Sequence, residues 1–329
     1  MGFWSDFDYH DFIVYQLLKK NYDVIVESDP SQAEYIICSI FDKPFQYCSY
    51  PQPRIFYSGE NYAPDFNLVD YAVSPYPIDY FDRNFCYPHF GTPARLEELE
   101  YKDRSYPITI LDEKPVFANF IASHESEGNI RGDFFKALCQ YRRVESAGPY
   151  LNNQPDGRCV DYKVDKTDFQ KKSKFSLCFE STAHKGFITE KIVDAFYADT
   201  IPIYYGSETI GEIFNPDAFI DVRAFESFDK AVERIMELDQ NDDLYLEMLR
   251  RPIFRDPQYV TNTHAAMEQF LKHIFDQSPE TAYRRSRVYA AQTYNDYMRK
   301  VFLPEELSCK ELLHLFFAHI KEKFCGRKK

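Results

Sequence analysis

Short apolar runs alternate with stretches of helical spacing, and this alternation constrains the chain more than any other feature. Residues 23–26, 34–38, 54–57 and 71–73 have the length and composition of buried strands, and residues 12–18 have helical spacing. A second block repeats the arrangement. Residues 115–121 are strand-like, and residues 131–140 place Phe134, Phe135 and Leu138 on one helical face. A strand (174–179), a helix (189–199), two strands (201–205 and 219–222) and a helix (229–238) follow. Strands alternating with helices build parallel sheets, so two such blocks predict two doubly wound α/β domains with a cleft between them. Residues 91–114, charged and without a clear period, read as an excursion or linker. Beyond about residue 280 only helical spacing remains. The divisions this suggests are 1–122, 123–285 and a helical, basic amphipathic tail, 286–329.

With 329 residues, 44% of them hydrophobic, the chain is long enough for two packed domains. The net charge of −13 argues against a nucleic-acid partner, whose phosphates need Lys and Arg. It leaves open small anionic ligands, which need only a few local cations. The charge reverses at the end: Lys310, Lys321, Lys323, Arg327, Lys328 and Lys329 face only Glu311 and Glu322 around an apolar series from Leu312 to Phe324. Such a segment either packs on the domain or docks peripherally on anionic lipid. The eight Cys include no CxxC pair and no zinc spacing, and Cys178 lies in an apolar run as a buried free thiol. These features, the acidic N-terminus and the lack of a long apolar stretch lead us to expect a cytoplasmic protein, with peripheral contact to the inner membrane face through the tail.

Residues 174–206 carry the chemistry, as strand, polar loop, helix and strand. Thr189 is placed to cap the helix, and helix N-termini offer free N–H groups and partial positive charge to a phosphate. Glu180, Glu190 and Lys191 stand at the strand end and helix start, where doubly wound folds bind ligands. Glu190 suits ribose hydroxyls and Lys191 a phosphate, although an isolated Thr-Glu-Lys is usually plain surface. Elsewhere Asp6-Phe7-Asp8 has the form of a metal-binding DxD, but acidic turns are common at chain ends. His89 and His124 are cleft candidates that read equally as ordinary surface or core residues. Asp194, one turn after Glu190, reads as structural. No glycine-rich phosphate loop is present.

The ordered set Phe179-Glu180-Ser181, Ile188-Thr189-Glu190-Lys191, Ile201-Pro202-Ile203-Tyr204-Tyr205-Gly206 and Phe214-Asn215-Pro216 resembles the signature of the α-1,3/4-fucosyltransferases, glycosyltransferase family 10. The likeness is greatest to bacterial, Helicobacter-type members. Phe56-Tyr57-Ser58-Gly59-Glu60-Asn61, the following Phe66-Asn67-Leu68-Val69-Asp70-Tyr71-Ala72, and Asn129-Ile130-Arg131 through Leu138 are similar to further blocks of that family. The resemblance covers roughly residues 50–250. It implies a GT-B fold, two Rossmann-like domains facing across a cleft, with the donor GDP-fucose in the second and a GlcNAc-containing oligosaccharide acceptor held by the first. It implies inversion by single displacement with no metal or other cofactor. Glu60 would be the general base, Arg131 and Lys191 would hold the diphosphate, and Glu190 the ribose. Ser181 and Phe187 would complete the donor site, with Glu180, Asn61 and His124 as lesser candidates. The family usually has Asn at position 181 and Tyr at 187, so donor contacts differ here in detail.

This chemistry is coherent on physical grounds. Cleaving a sugar–phosphate bond passes through an oxocarbenium-like state, cations stabilise the departing diphosphate, and a carboxylate helps a weakly nucleophilic hydroxyl. The rival expectations are an α-1,4 linkage or another nucleotide sugar on the same fold, and a non-catalytic carbohydrate-binding module.

Overall fold

A computed structural model of the chain describes residues 1–41, 43–161 and 165–303. The basic tail from Lys310 lies outside the described residues. Two separate parallel sheets form. The first contains β1 (Ile36–Cys38), β2 (Arg54–Tyr57), β3 (Tyr71–Ser74) and β4 (Asn84–Cys86) in that order. Every residue of β2 and β3 is buried, as expected of strands covered on both faces. Helix α1 (Ile13–Asn21) buries Ile13, Val14, Leu17 and Leu18 on one face, with Tyr57 and Val73 of the sheet.

Helix α2 (Pro93–Glu100) leads to the second sheet, β5 (Val116–Phe120), β6 (Val144–Ser146), β7 (Ser173–Phe179), β8 (Ile201–Tyr205) and β9 (Ile220–Asp221). Its order is β6-β5-β7-β8-β9, all parallel. The chain passes to opposite sides of β5 in forming β6 and β7. The crevice beyond their carboxyl ends is therefore the topological switch point, where such sheets bind ligands. The helices α3 (Ile130–Tyr141), α4 (Lys166–Lys171), α5 (Glu190–Tyr197), α6 (Ile210–Ile213), α7 (Phe228–Gln240) and α8 (Asp242–Leu249) belong to this block. Phe134, Phe175, Ile235 and Leu246 share the core on one face of the sheet, and Ile192, Val193, Phe196 and Tyr204 lie in the core on the other.

Helix α9 (Tyr259–Phe275) turns back to the first sheet, where Met267 and Leu271 join the α1 core. After α10 (Pro279–Ala282), helix α11 (Tyr289–Phe302) lays Tyr294 and Met298 against the opposite face of that sheet. Helix α9, at the end of the second block, thus packs on the first sheet, while β5, which precedes residue 122, lies inside the second. This is the two-sheet, GT-B architecture with helices at the carboxyl end.

Two expectations need correction. Residues 23–26 are not a buried strand: Ile25 is 76% and Val26 53% exposed, and no strand pairs with them. A short apolar run becomes a strand only when a neighbour completes its ladder. Residues 91–114 are more than a linker. Thr92-Pro93 starts α2, and Pro93, Leu96 and Leu99 are buried, the two leucines in the core around α5.

Candidate active site

Strand β7 delivers Glu180 to the switch point with 2% exposure. Its backbone N–H donates to Tyr205 O at 2.8 Å. Gly206 permits this approach, because a Cβ there would lie 2.6 Å from Glu180 Cγ. The carboxylate accepts the Thr189 N–H and the Thr189 hydroxyl, each at 2.8 Å. Thr189 is the residue before α5, but its hydroxyl serves Glu180 and caps nothing. Lys191 Nζ stands 3.2 Å from Glu180 Oε2, 3.3 Å from Glu190 Oε1 and 2.8 Å from Thr189 Oγ1.

These contacts set the charge states. Burial opposes the Lys191 charge, but Glu180 and then Glu190 outweigh it and hold the ammonium above its ordinary range. Burial likewise opposes the Glu190 carboxylate, but Lys191 and then Lys166 outweigh it and drive its pKa well below the usual value. The start of α5 therefore presents an ionised carboxylate and a cation, each partly exposed, above a buried acid.

Arg131, in the first turn of α3, is 3% exposed. Its Nε and Nη2 donate to Phe179 O at 3.1 and 2.7 Å, and Nη1 donates to His124 O at 2.9 Å. It joins the ends of β5 and β7, and its charge reaches Lys191. Ser181 accepts the Glu127 N–H on its backbone oxygen at 3.0 Å. Phe187, at 2% exposure, lies inside the loop and offers a ligand almost no surface. The side chain of His124 is exposed.

Glu60 comes from the opposite wall, on the turn after β2. The Ser58 hydroxyl fixes that turn by contacts to Glu60 O at 2.9 Å and Tyr62 O at 3.0 Å. Burial raises the Glu60 carboxyl pKa; Lys191 and His124 oppose the rise, while Glu190 and Glu180 add to it. All four are residues of the second domain, so Glu60 faces that cluster across the cleft. Beside it, Asn61 Nδ2 donates to Thr182 Oγ1 at 2.8 Å, and Asn61 Oδ1 accepts from the Tyr76 hydroxyl. His89 backs the turn: a Cβ on Gly59 would meet its Nδ1 at 3.1 Å, and its N–H donates to Ile188 O at 3.1 Å. Burial lowers its pKa and favours the neutral ring.

The structure thus brings Glu60, Asn61, Glu180, Glu190, Lys191 and Arg131 to one cleft. Asp194 instead forms a buried ion cluster with Arg95 and Lys166, the latter at 2.5 Å. Asp8 accepts the His10 N–H at 2.8 Å as a turn cap. Among the described residues no group of three or more His, Cys, Asp or Glu is arranged to hold a metal ion. The sequence reading did not anticipate Thr182 and Tyr76, whose only signal was a polar side chain in a loop after a strand.

Known proteins resemble this chain along both sheets. The family model described as glycosyltransferase family 10 (fucosyltransferase) C-term matches residues 111–277, and the alpha-(1,3)-fucosyltransferase FucT N-terminal domain matches residues 1–92. Alpha-(1,3)-fucosyltransferase FucT of Helicobacter pylori is 30% identical over 287 residues, taking in 75% of this chain and 58% of that protein. This chain therefore spans little more than half the length of that relative. A crystal structure of an alpha1,3-fucosyltransferase with GDP superposes with a TM-score of 0.66 at 27% identity, covering 82% of this chain and 88% of the other. One with GDP-fucose gives 0.64 at 26% identity, covering 80% and 86%. This chain belongs to glycosyltransferase family 10, the fucosyltransferases.

Proposed function

We propose that this chain is an inverting α-1,3-fucosyltransferase that moves L-fucose from GDP-fucose to the GlcNAc of an N-acetyllactosamine-type glycan. One observation carries the proposal: Glu60, on the turn that Asn61 ties across the cleft to Thr182, stands opposite the charged pair of Glu190 and Lys191. The donor complexes solved for relatives of the same fold support the choice of nucleotide sugar.

In this reading Glu60 takes the proton from the acceptor hydroxyl as its oxygen attacks the fucose anomeric carbon. The bond from that carbon to the β-phosphate oxygen breaks, and GDP leaves with the electron pair. Lys191 and the N–H groups opening α5 meet the charge that grows on the diphosphate. Arg131 adds positive potential and holds the ends of β5 and β7 in place. Glu190 accepts from the ribose hydroxyls, and Ser181 lines the donor site. Phe187 contributes as packing beneath the loop. The acceptor rests mainly on the first sheet with its helices and the donor on the second sheet with its helices. Lys191 supplies positive charge that a divalent ion supplies in other transferases, so no cofactor is needed.

Incubation with GDP-fucose and a panel of acceptors, followed by linkage analysis of the products, tests the proposal. Fucose at the 3-position of GlcNAc is the expected result. A 4-linked product, or turnover only with another nucleotide sugar, would replace it by that variant. Glycan binding without turnover of any donor would make the chain a carbohydrate-binding module. No helix among the described residues is long and apolar enough to cross a membrane. Peripheral contact through the basic tail, on a cytoplasmic protein, completes the reading.

A further inference from the structure

Residues 1 and 2 run parallel to the end of β1. The Met1 ammonium donates to Ile37 O at 2.7 Å, and the Ser39 and Phe41 N–H groups donate to Met1 O at 3.0 Å and Gly2 O at 2.8 Å. The chain therefore leaves the first sheet at its carboxyl edge, the same edge from which β2 sends out Glu60. Residues 3–8 lie in this passage and carry three aromatic rings, Phe3, Trp4 and Phe7.

The rings divide into two groups. Phe3 stacks on Phe7 with centroids 4.0 Å apart, and both pack against the core that holds Phe12 and Tyr57. Trp4 and Phe41 lie outside that core. They meet edge to face at 5.4 Å; Trp4 is half-buried and Phe41 is 39% exposed. Phe7 supports the indole from behind at 5.0 Å. The Trp4 ring centre is also 6.1 Å from that of His89. His89 is the ring on which Gly59 rests, and the charges of Glu190 and Lys191 reach it. Trp4 thus stands one ring away from the turn that carries Glu60, on a surface continuous with the cleft.

An indole face is electron-rich and attracts weakly positive C–H edges. A pyranose presents such C–H groups on one face and hydroxyls around its rim. In N-acetyllactosamine the galactose is joined to C4 of GlcNAc, next to the C3 hydroxyl that Glu60 would deprotonate. Galactose is therefore the neighbouring ring closest to the base. Its axial O4 leaves the C–H bonds of C3, C4 and C5 together on one face. We propose that Trp4, with Phe41 at its edge, seats the galactose ring of the acceptor by that face. The proposal rests on the acceptor reading given above and adds the residue that selects the sugar beside the reacting GlcNAc.

Trp4 is the single tryptophan of the chain, so indole emission excited beyond the tyrosine absorption reports this position alone. In the wild type holding GDP, N-acetyllactosamine should shift the emission saturably to shorter wavelength, as the sugar displaces water from the ring. GlcNAc alone should not. Turnover of N-acetyllactosamine with no indole response overturns the seat and leaves the transferase reading intact. A saturable response without turnover of any donor fails the transferase reading and leaves the seat. Kinetics give a second measure. Trp4→Ala should lower the preference for N-acetyllactosamine over GlcNAc, as a ratio of kcat/KM, by about tenfold, carried by KM. Trp4→Phe keeps a ring and should retain most of the preference. An unchanged ratio in folded Trp4→Ala overturns the proposal. Should that variant fail to fold, the emission titration on the unaltered protein decides.

Discussion

Asn61 donates to Thr182 across the cleft at 2.8 Å, so the residue beside the proposed base is tied to the loop that follows Glu180. The two positions are 121 residues apart in the chain. Their contact spans the wall that carries Glu60 and the wall that carries Lys191, as does the bond from the His89 backbone N–H to Ile188 O. Thr182→Val removes the acceptor oxygen at nearly constant volume. We expect a stability loss of about 1 kcal/mol, the usual net value of such a bond. Acceptor KM should rise severalfold while GDP affinity holds. Calorimetry showing that GDP binding weakens as much as acceptor binding would assign the contact to the donor site instead.

Glu60→Gln should lower kcat by roughly 10²-fold or more, with GDP affinity nearly unchanged. The pH dependence has a definite sign. Burial raises the carboxyl pKa above its ordinary value of 4.5, so the fold favours the protonated form. Its stabilising contribution is full below the unfolded pKa and lost as pH rises through the folded one. At pH 7 the substitution should therefore leave Tm unchanged or slightly higher. The kcat/KM of the wild type should fall with acid through a pKa above 4.5, and this limb should vanish in the variant. A retained acid limb with near-normal turnover removes Glu60 from the mechanism.

The proposed reaction gives Lys191 two separable roles. Lys191→Met leaves Glu180, at 2% exposure, with the Thr189 hydrogen bonds but without its cation. Stripping one partner from a buried pair costs about 3–5 kcal/mol; Lys191 is partly exposed, so about 2 kcal/mol is expected. Adding Glu180→Gln should restore most of that stability. It should not restore GDP affinity, nor the roughly 2–4 kcal/mol lost in kcat/KM. Recovery of GDP binding in the double variant would show that Lys191 acts only on Glu180.

Arg131→Ala removes three donors to Phe179 O and His124 O as well as a charge near Lys191. Both Tm and GDP affinity should fall, whereas acceptor affinity should hold. Unchanged GDP affinity in a folded variant would reduce Arg131 to a scaffold residue.

Chelation tests the cationic cluster as a whole. With Lys191 and the start of α5 supplying positive charge, EDTA should leave most of the activity in place. Complete loss, restored by manganese, would demand a metal site and bring Asp6 and Asp8 back into consideration.

Much of the fold is legible in the chain because its causes are local. The apolar runs of β2, β3, β7 and β8 and the spacing of Phe134, Phe135 and Leu138 declare two parallel sheets with their helices, and the strand-to-helix passage from Glu180 to Lys191 marks the candidate site. Whatever depends on a distant partner was not legible. Residues 23–26 have a strand's composition but no neighbouring strand, and α2 is stabilised by burial against a core that forms a hundred residues later. Thr189 has the chemistry of a cap, yet Glu180, folded over it, takes the hydroxyl. Composition and periodicity describe what a segment prefers on its own. Which carboxylate a threonine serves, which wall Asn61 reaches and which core takes up α2 depend on contacts between segments far apart in sequence, and only the packed tertiary structure decides them.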